Sequence, residues 1–286
     1  MFTYPNIVTS QSKEFTQDAF IDWLLRCADP GNPDSATHVA GRAFIRYVIR
    51  KHNAFVASLN DAASEHNLTM VDSDIPINEV LSLRQFLRID VMGRINGGGG
   101  LYIIFENKLG TDLHGNQLTD YRDKLTKEIK KNYSNDPIQI IGVYYKVLEE
   151  KDYAAVRAAY HYCTLSRQEM RDFLSDHTAI NPIIQMYHSY LMELDTCIHD
   201  WKRMTISEME DGKRARWAFW SGWFSELSQE LKQRLNDHPE YGVGWGWINN
   251  VAGGFHGMWL GNWRGDEATI YLQCDEHELK VRMSGL

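Results

Sequence analysis

Asp90, Glu106 and Lys108 are the residues whose types and spacing could do chemistry together. They lie in two strand-like runs, FLRIDVMGRI and LYIIFENKL, separated by Asn96 and four glycines, which reads as a hairpin turn. With the turn centred near Gly98 and Gly99, cross-strand partners sum to about 197, so Asp90 lies opposite the stretch from Glu106 to Lys108. Period-two alternation puts Glu106 and Lys108 on one face, and an even-sum register brings Asp90 to it. Ile89, Val91, Ile103, Ile104 and Phe105 flank them, an apolar setting in which three charged groups are costly unless they bind something. Magnesium suits this set: it is a hard cation that takes one or two protein carboxylates and keeps positions for phosphate oxygens and an attacking water. It would lower the pKa of that water and offset charge at phosphorus, with Lys108 positioning the water or stabilising the developing charge. The chemistry implied is phosphodiester hydrolysis. Spacing alone fits equally well a cross-strand ion pair at a solvated edge.

The elements that must position these residues can be read from pattern. FTQDAFIDWLLRCA is an amphipathic helix that DPGNP at 29–33 terminates, and a second helix runs from about 38 to 60. Gln117 to Lys131 reads as a helix, and PIQIIGVYYKV as a strand buried on both faces. Residues 151–204 read as mostly helical, with Pro182 near one helix start. A helix over 213–236 carries Trp217, Trp220, Phe224, Leu227 and Leu231 at helical spacing, and from Tyr241 the Gly-rich alternation predicts an antiparallel meander. The expected class is α/β, in the sense of mixed α+β, with a core at 1–150 and an accessory helical region and aromatic-rich meander at 151–286.

Four segments in this order resemble the PD-(D/E)XK nuclease superfamily. RID at 88–90 is similar to its acidic strand and FENK at 105–108 to its E-x-K strand. QLTDY at 117–121 is similar to the Q-x-x-x-Y element of its RecB-like and lambda-exonuclease-like branches, and EFTQDAFIDWLL at 14–25 to an N-terminal helix that supplies a further Glu. The resemblance covers about residues 10–146. It implies a restriction-endonuclease-like core with a central mixed sheet flanked by helices, and Mg2+-dependent cleavage of nucleic acid, with Mn2+ possible and DNA favoured over RNA. It also implies that Asp90, Glu106 and Glu14 bind metal, that Lys108 assists attack, and that Gln117 and Tyr121 place the substrate strand. Ile89 stands where the pattern has Pro, a substitution that touches no ligand.

Each outer residue also has a bland explanation. A carboxylate at a helix start, as at Glu14, is favoured by the macrodipole alone, and Gln117 and Tyr121 at i and i+4 could be neighbours on an exposed face. Glu79 is an alternative third acid or a strand-end charge, and His114 could reach a phosphate or be a solvated loop residue. Arg42, Arg46 and Arg50 are spaced by four, joined by Lys51, with no acidic residue between Gly41 and Asn60. Such a stripe fits phosphates or a solvated face. Lys124, Lys127, Lys130 and Lys131 form a less pure stripe on the Gln117 helix. The aromatic meander could stack bases or be a place where a protein partner or a second copy docks, but with few Arg or Lys beside its rings it reads mainly as core.

Composition narrows the class further. The chain has 286 residues, 43% hydrophobic and 24% charged, the balance of an ordinary globular protein. No apolar run approaches the roughly 20 residues of a membrane helix, and the start is too polar for a signal peptide, so neither a membrane nor a secretory role is expected. Cys27, Cys163, Cys197 and Cys274 lie far apart without C-x-x-C spacing, which fits a reducing cytosol. The net charge of −8, with neither half basic, argues against nucleic-acid binding by bulk charge and leaves local basic surfaces as the route. The competing reading is a nuclease fold kept as a non-catalytic nucleic-acid or protein-binding module. The intact Asp90, Glu106 and Lys108 argue against it.

Overall fold

Helix α1 (Glu14–Cys27) forms where an apolar stripe recurs at helical spacing, burying Phe20, Ile21, Leu24 and Leu25. The structure is a computed structural model and describes residues 14–32, 34–59, 63, 66, 68–98, 100–113, 115–133, 138–201, 203, 216–236, 238, 241–248, 254–264, 268–275 and 278–285. The Asp34 carboxylate caps α2 (Ser35–Ser58) by accepting from the backbone N–H of Ala36 at 3.1 Å. The two helices cross closely because residue 41 is glycine: a Cβ there would lie 2.5 Å from Ala28 N and 2.7 Å from Leu24 O.

Five strands form one mixed sheet in the order β1 (Val80–Phe86), β2 (Ile89–Ile95), β3 (Leu101–Lys108), β4 (Gln139–Lys146), β5 (Cys163–Ser166). β2 runs antiparallel to both of its neighbours, β1 and β3, whereas β3, β4 and β5 run parallel. Parallel neighbours need crossovers, supplied by α3 (Gln117–Asn132) and α4 (Tyr153–Tyr160). All eight residues of β3 are buried, as the central position demands. The turn between β2 and β3 uses Asn96 and Gly97, both at positive φ (63° and 79°), which is why this stretch is rich in Asn and Gly. Gly99 lies outside the described residues.

The two sheet faces have different covers. On one, α1 and α2 pack with α5 (Arg167–Ser175) and α6 (Pro182–Asp200): Phe44 stacks on Phe105 at 5.9 Å and Phe20 on Tyr187 at 3.9 Å. On the other, α3 buries Leu118, Tyr121, Leu125 and Ile129 against Met92, Tyr102, Ile104 and Tyr144, with Val156 of α4 joining them. β5 was not expected from the sequence. Residues 151–204 read as mostly helical because a four-residue strand carries almost no period-two signal between two helices.

A second unit carries the four-stranded antiparallel meander β6 (Val243–Ile248), β7 (Phe255–Arg264), β8 (Ala268–Asp275) and β9 (Leu279–Gly285). Helix α7 (Arg216–Arg234) packs Phe219, Trp220 and Phe224 against Trp245 and Met258, so these aromatic residues are core. The first unit comprises residues 1–109, 113–147 and 152–191, and the second 110–112, 148–151 and 192–286. The fold is therefore mixed α+β, as expected. No described helix is long and apolar enough to cross a membrane.

Candidate active site

The β2/β3 register pairs Val91 with Phe105 and Met92 with Ile104, an even sum that continues to Asp90 opposite Glu106. Met92, Ile104 and Tyr102 pack under α3, and strand alternation puts Asp90, Glu106 and Lys108 on that same face. The three are brought together at the end of the hairpin away from the glycines. Lys108 Nζ lies 2.6 Å from Glu106 Oε1. Glu106 is fully buried and Lys108 is 7% exposed, so the solvated-edge arrangement does not hold.

Both carboxylates are held by further groups. Asp90 Oδ2 accepts from the backbone N–H of Asn107 at 2.9 Å, and Oδ1 from the Gln85 side-chain amide at 3.2 Å. Gln85 reaches it from a left-handed conformation (φ 55°), and Leu87 and Arg88 in the following turn share that region (φ 56° and 70°). Non-glycine residues there are strained, and such strain concentrates where a side chain must be aimed. Glu106 Oε1 also accepts from Gln117 Nε2 at 2.8 Å, and the same nitrogen donates to the Tyr121 hydroxyl at 2.5 Å. Gln117 and Tyr121 thus face inward onto Glu106 rather than lying on an exposed face.

Burial and the Asp90 carboxylate push the Glu106 carboxyl up to about 8. Burial likewise raises Asp90, against the Asn107 N–H and the Lys108 ammonium, which lower it. Burial alone would lower Lys108, but Glu106, Glu14 and Asp90 outweigh it and the net shift is upward. Lys108 is therefore a cation at neutral pH and not a proton acceptor. Burial also lifts Tyr121 to about 12.

The outer residues divide. Glu14, at the start of α1, accepts from the backbone N–H of Leu109 at 3.2 Å, which sets it beside the end of β3. Glu79 pairs with Arg94 at 3.0 Å and does not join the site. Of the basic stripe, Arg42 donates to the Ile77 carbonyl at 2.8 Å, Arg46 is half-buried, and Arg50 is exposed. His114 lies outside the described residues. The sequence pattern does not single out Asp18 or Asn107. Asp18 is 2% exposed, and its Oδ1 accepts from Asn107 Nδ2 at 2.7 Å. Burial, then the Asp90 charge, raises its carboxyl to about 7. The available signal was an acid standing on the apolar stripe of α1, four residues after Glu14 and three before Ile21.

A family model described as the PD-(D/E)XK nuclease superfamily matches residues 4–202, most of the chain and all of this site. The chain belongs to the PD-(D/E)XK nuclease superfamily. Searches of curated proteins and of solved structures returned no match. The segments that resemble the family's acidic strand and E-x-K strand lie on β2 and β3. These nucleases typically use divalent metals, and the residues present fit one: Glu106 Oε2 is buried and has no hydrogen-bond partner among the described residues, beside a second carboxylate that repels it. Among the described residues no group of three or more His, Cys, Asp or Glu side chains is arranged to hold a metal ion. The fit thus rests on the Asp90 and Glu106 pair, a number of carboxylates that suits magnesium.

Proposed function

We propose that this protein is a divalent-cation-dependent nuclease that hydrolyses phosphodiester bonds of nucleic acid, with DNA the favoured substrate and Mg2+ or Mn2+ the cation. The observation that carries the reading is the pairing of Asp90 with Glu106, whose Oε2 is buried without a hydrogen-bond partner among the described residues while Lys108 lies 2.6 Å from its Oε1. A fully buried carboxylate beside a half-buried one is costly by itself, and a cation between the two would remove that cost. Asp90 and Glu106 would hold the ion. When bound, such an ion lowers the pKa of the attacking water and offsets charge at phosphorus.

The chain's own groups have separable roles. Water adds to phosphorus and gives up one proton to solvent, the bridging P–O bond breaks, and the leaving oxygen takes a proton from solvent. Lys108, held cationic by Glu106, Glu14 and Asp90 against its burial, orients that water or stabilises the developing negative charge. Gln117 and Tyr121 fix the Glu106 carboxylate, a positioning role that supports catalysis whether or not they also touch the substrate strand. Arg50, and Arg46 beside it, supply the exposed end of a phosphate-tracking stripe, whereas Arg42 is committed to Ile77.

The test is cleavage of a panel of single-stranded DNA, double-stranded DNA and RNA. The wild-type chain should cut at least one member with Mg2+ or Mn2+ and none with EDTA or with Ca2+ alone. Glu106→Gln should cut none while keeping the far-ultraviolet circular dichroism of wild type, since glutamine has nearly the same volume and its amide oxygen can still accept from Lys108. Undiminished cutting by Glu106→Gln contradicts the assignment.

A further inference from the structure

We propose that Asp18 is a positioning residue for Asp90, acting through Asn107, so that a carboxylate on α1 sets how tightly the site holds a divalent cation. This rests on the nuclease reading above. Alternation along β3 sends the Asn107 side chain to the α1 face of the sheet while Glu106 and Lys108 on either side point to the α3 face. On the α1 face Asp18 Oδ1 takes the hydrogen of Asn107 Nδ2 at 2.7 Å. The backbone N–H of the same Asn107 donates to Asp90 Oδ2 at 2.9 Å. The strand residue clamped by Asp18 is therefore the one that clamps Asp90, and a rotation of β3 at this point would break both bonds.

Stability alone does not explain the pair. Asp18 is 2% exposed and Asn107 fully buried, and Asp18 shares its helix stripe with Ile21 and Leu25, Asn107 its strand face with Ile103 and Phe105. Two apolar side chains of matching shape would serve packing there at least as well, because a buried polar pair gains little net energy and leaves a costly orphan if either member is lost. What an apolar pair cannot do is fix the torsion of β3 beside Asp90. Groups that orient a metal ligand without touching the metal characteristically change its affinity by about 10–100-fold.

The experiment is direct Mn2+ binding by the full chain, read from the paramagnetic resonance signal of free Mn2+, without substrate. Wild type should bind and Asp90→Asn should not. Asp18→Ala should weaken binding about tenfold or more, whereas Asp18→Asn, whose side-chain oxygen accepts the same hydrogen, should stay within about threefold of wild type. Unchanged affinity in Asp18→Ala overturns the proposal, and so does equal weakening in both variants, which would mean that the Asp18 charge acts directly. Should Asp18→Ala not fold, the double variant Asp18→Leu with Asn107→Val removes both partners and keeps the residue 107 N–H. Weak binding by this folded double variant upholds the proposal, and wild-type affinity overturns it. A wild-type chain that binds no Mn2+ overturns the cation reading, and this proposal with it.

Discussion

Glu106 and Asp18 hold protons more tightly in the folded chain than in the unfolded one. Burial, then Asp90, raises Glu106 from 4.5 to about 8 and Asp18 from 3.8 to about 7. The sign follows from linkage: what these groups contribute is fully present below their unfolded values and is lost as pH rises through the folded ones. Urea unfolding in EDTA should therefore show a lower midpoint at pH 8.5 than at pH 5, and Glu106→Gln should flatten that difference. A midpoint that rises with pH over this range would contradict the assignment of a repelling acid pair. The basic stripe divides just as sharply. Arg50→Gln should reduce the magnitude of the salt slope for a non-cleavable substrate by about 0.7 to 0.9. Arg42→Gln should leave that slope alone and cost about 1–2 kcal/mol in stability by unpairing the Ile77 carbonyl. Spacing by four made the three arginines look equivalent, because a helix pattern records direction and not what lies opposite.

The hairpin was legible for a simple reason: strand pairing is arithmetic once a turn is located, and a Gly-rich turn between two apolar runs is hard to mistake. The even register that brought Asp90 to Glu106 followed from it. Asp18 was missed because its importance comes from a contact 89 residues away, with Asn107, and a local pattern holds no trace of that partner. β5 escaped because its four residues are held by β4 beside them and by the capping box of Ser166 and Glu169 at the helix that follows. The crossing of α1 and α2 gives a prediction at this scale. Alanine is the better helix former, yet Gly41→Ala should destabilise by about 1–3 kcal/mol, since its Cβ would sit 2.5 Å from Ala28 N where only backbone can give way. Denaturant unfolding of this variant checks it, and a stability at or above wild type would show that the helices can part without cost.

Each of the two units has its own sheet and its own buried cluster. Eight of the nine tryptophans, from Trp201 to Trp263, belong to the second unit, so tryptophan fluorescence reports its unfolding almost alone. Asp90 and Glu106 belong to the first. Mn2+ at about 100 times its dissociation constant should stabilise the first unit by about 2.7 kcal/mol, raising the midpoint seen by far-ultraviolet circular dichroism and leaving the tryptophan midpoint in place. Equal shifts in both signals would mean that the units unfold together. The central claim is that Asp90 and Glu106 form a cation site, and crystals grown without metal and then soaked in Mn2+ test it most directly. An anomalous difference peak should appear between the two carboxylates, within bonding distance of Glu106 Oε2. A well-ordered Asp90 and Glu106 with no peak between them at saturating Mn2+ would contradict the claim.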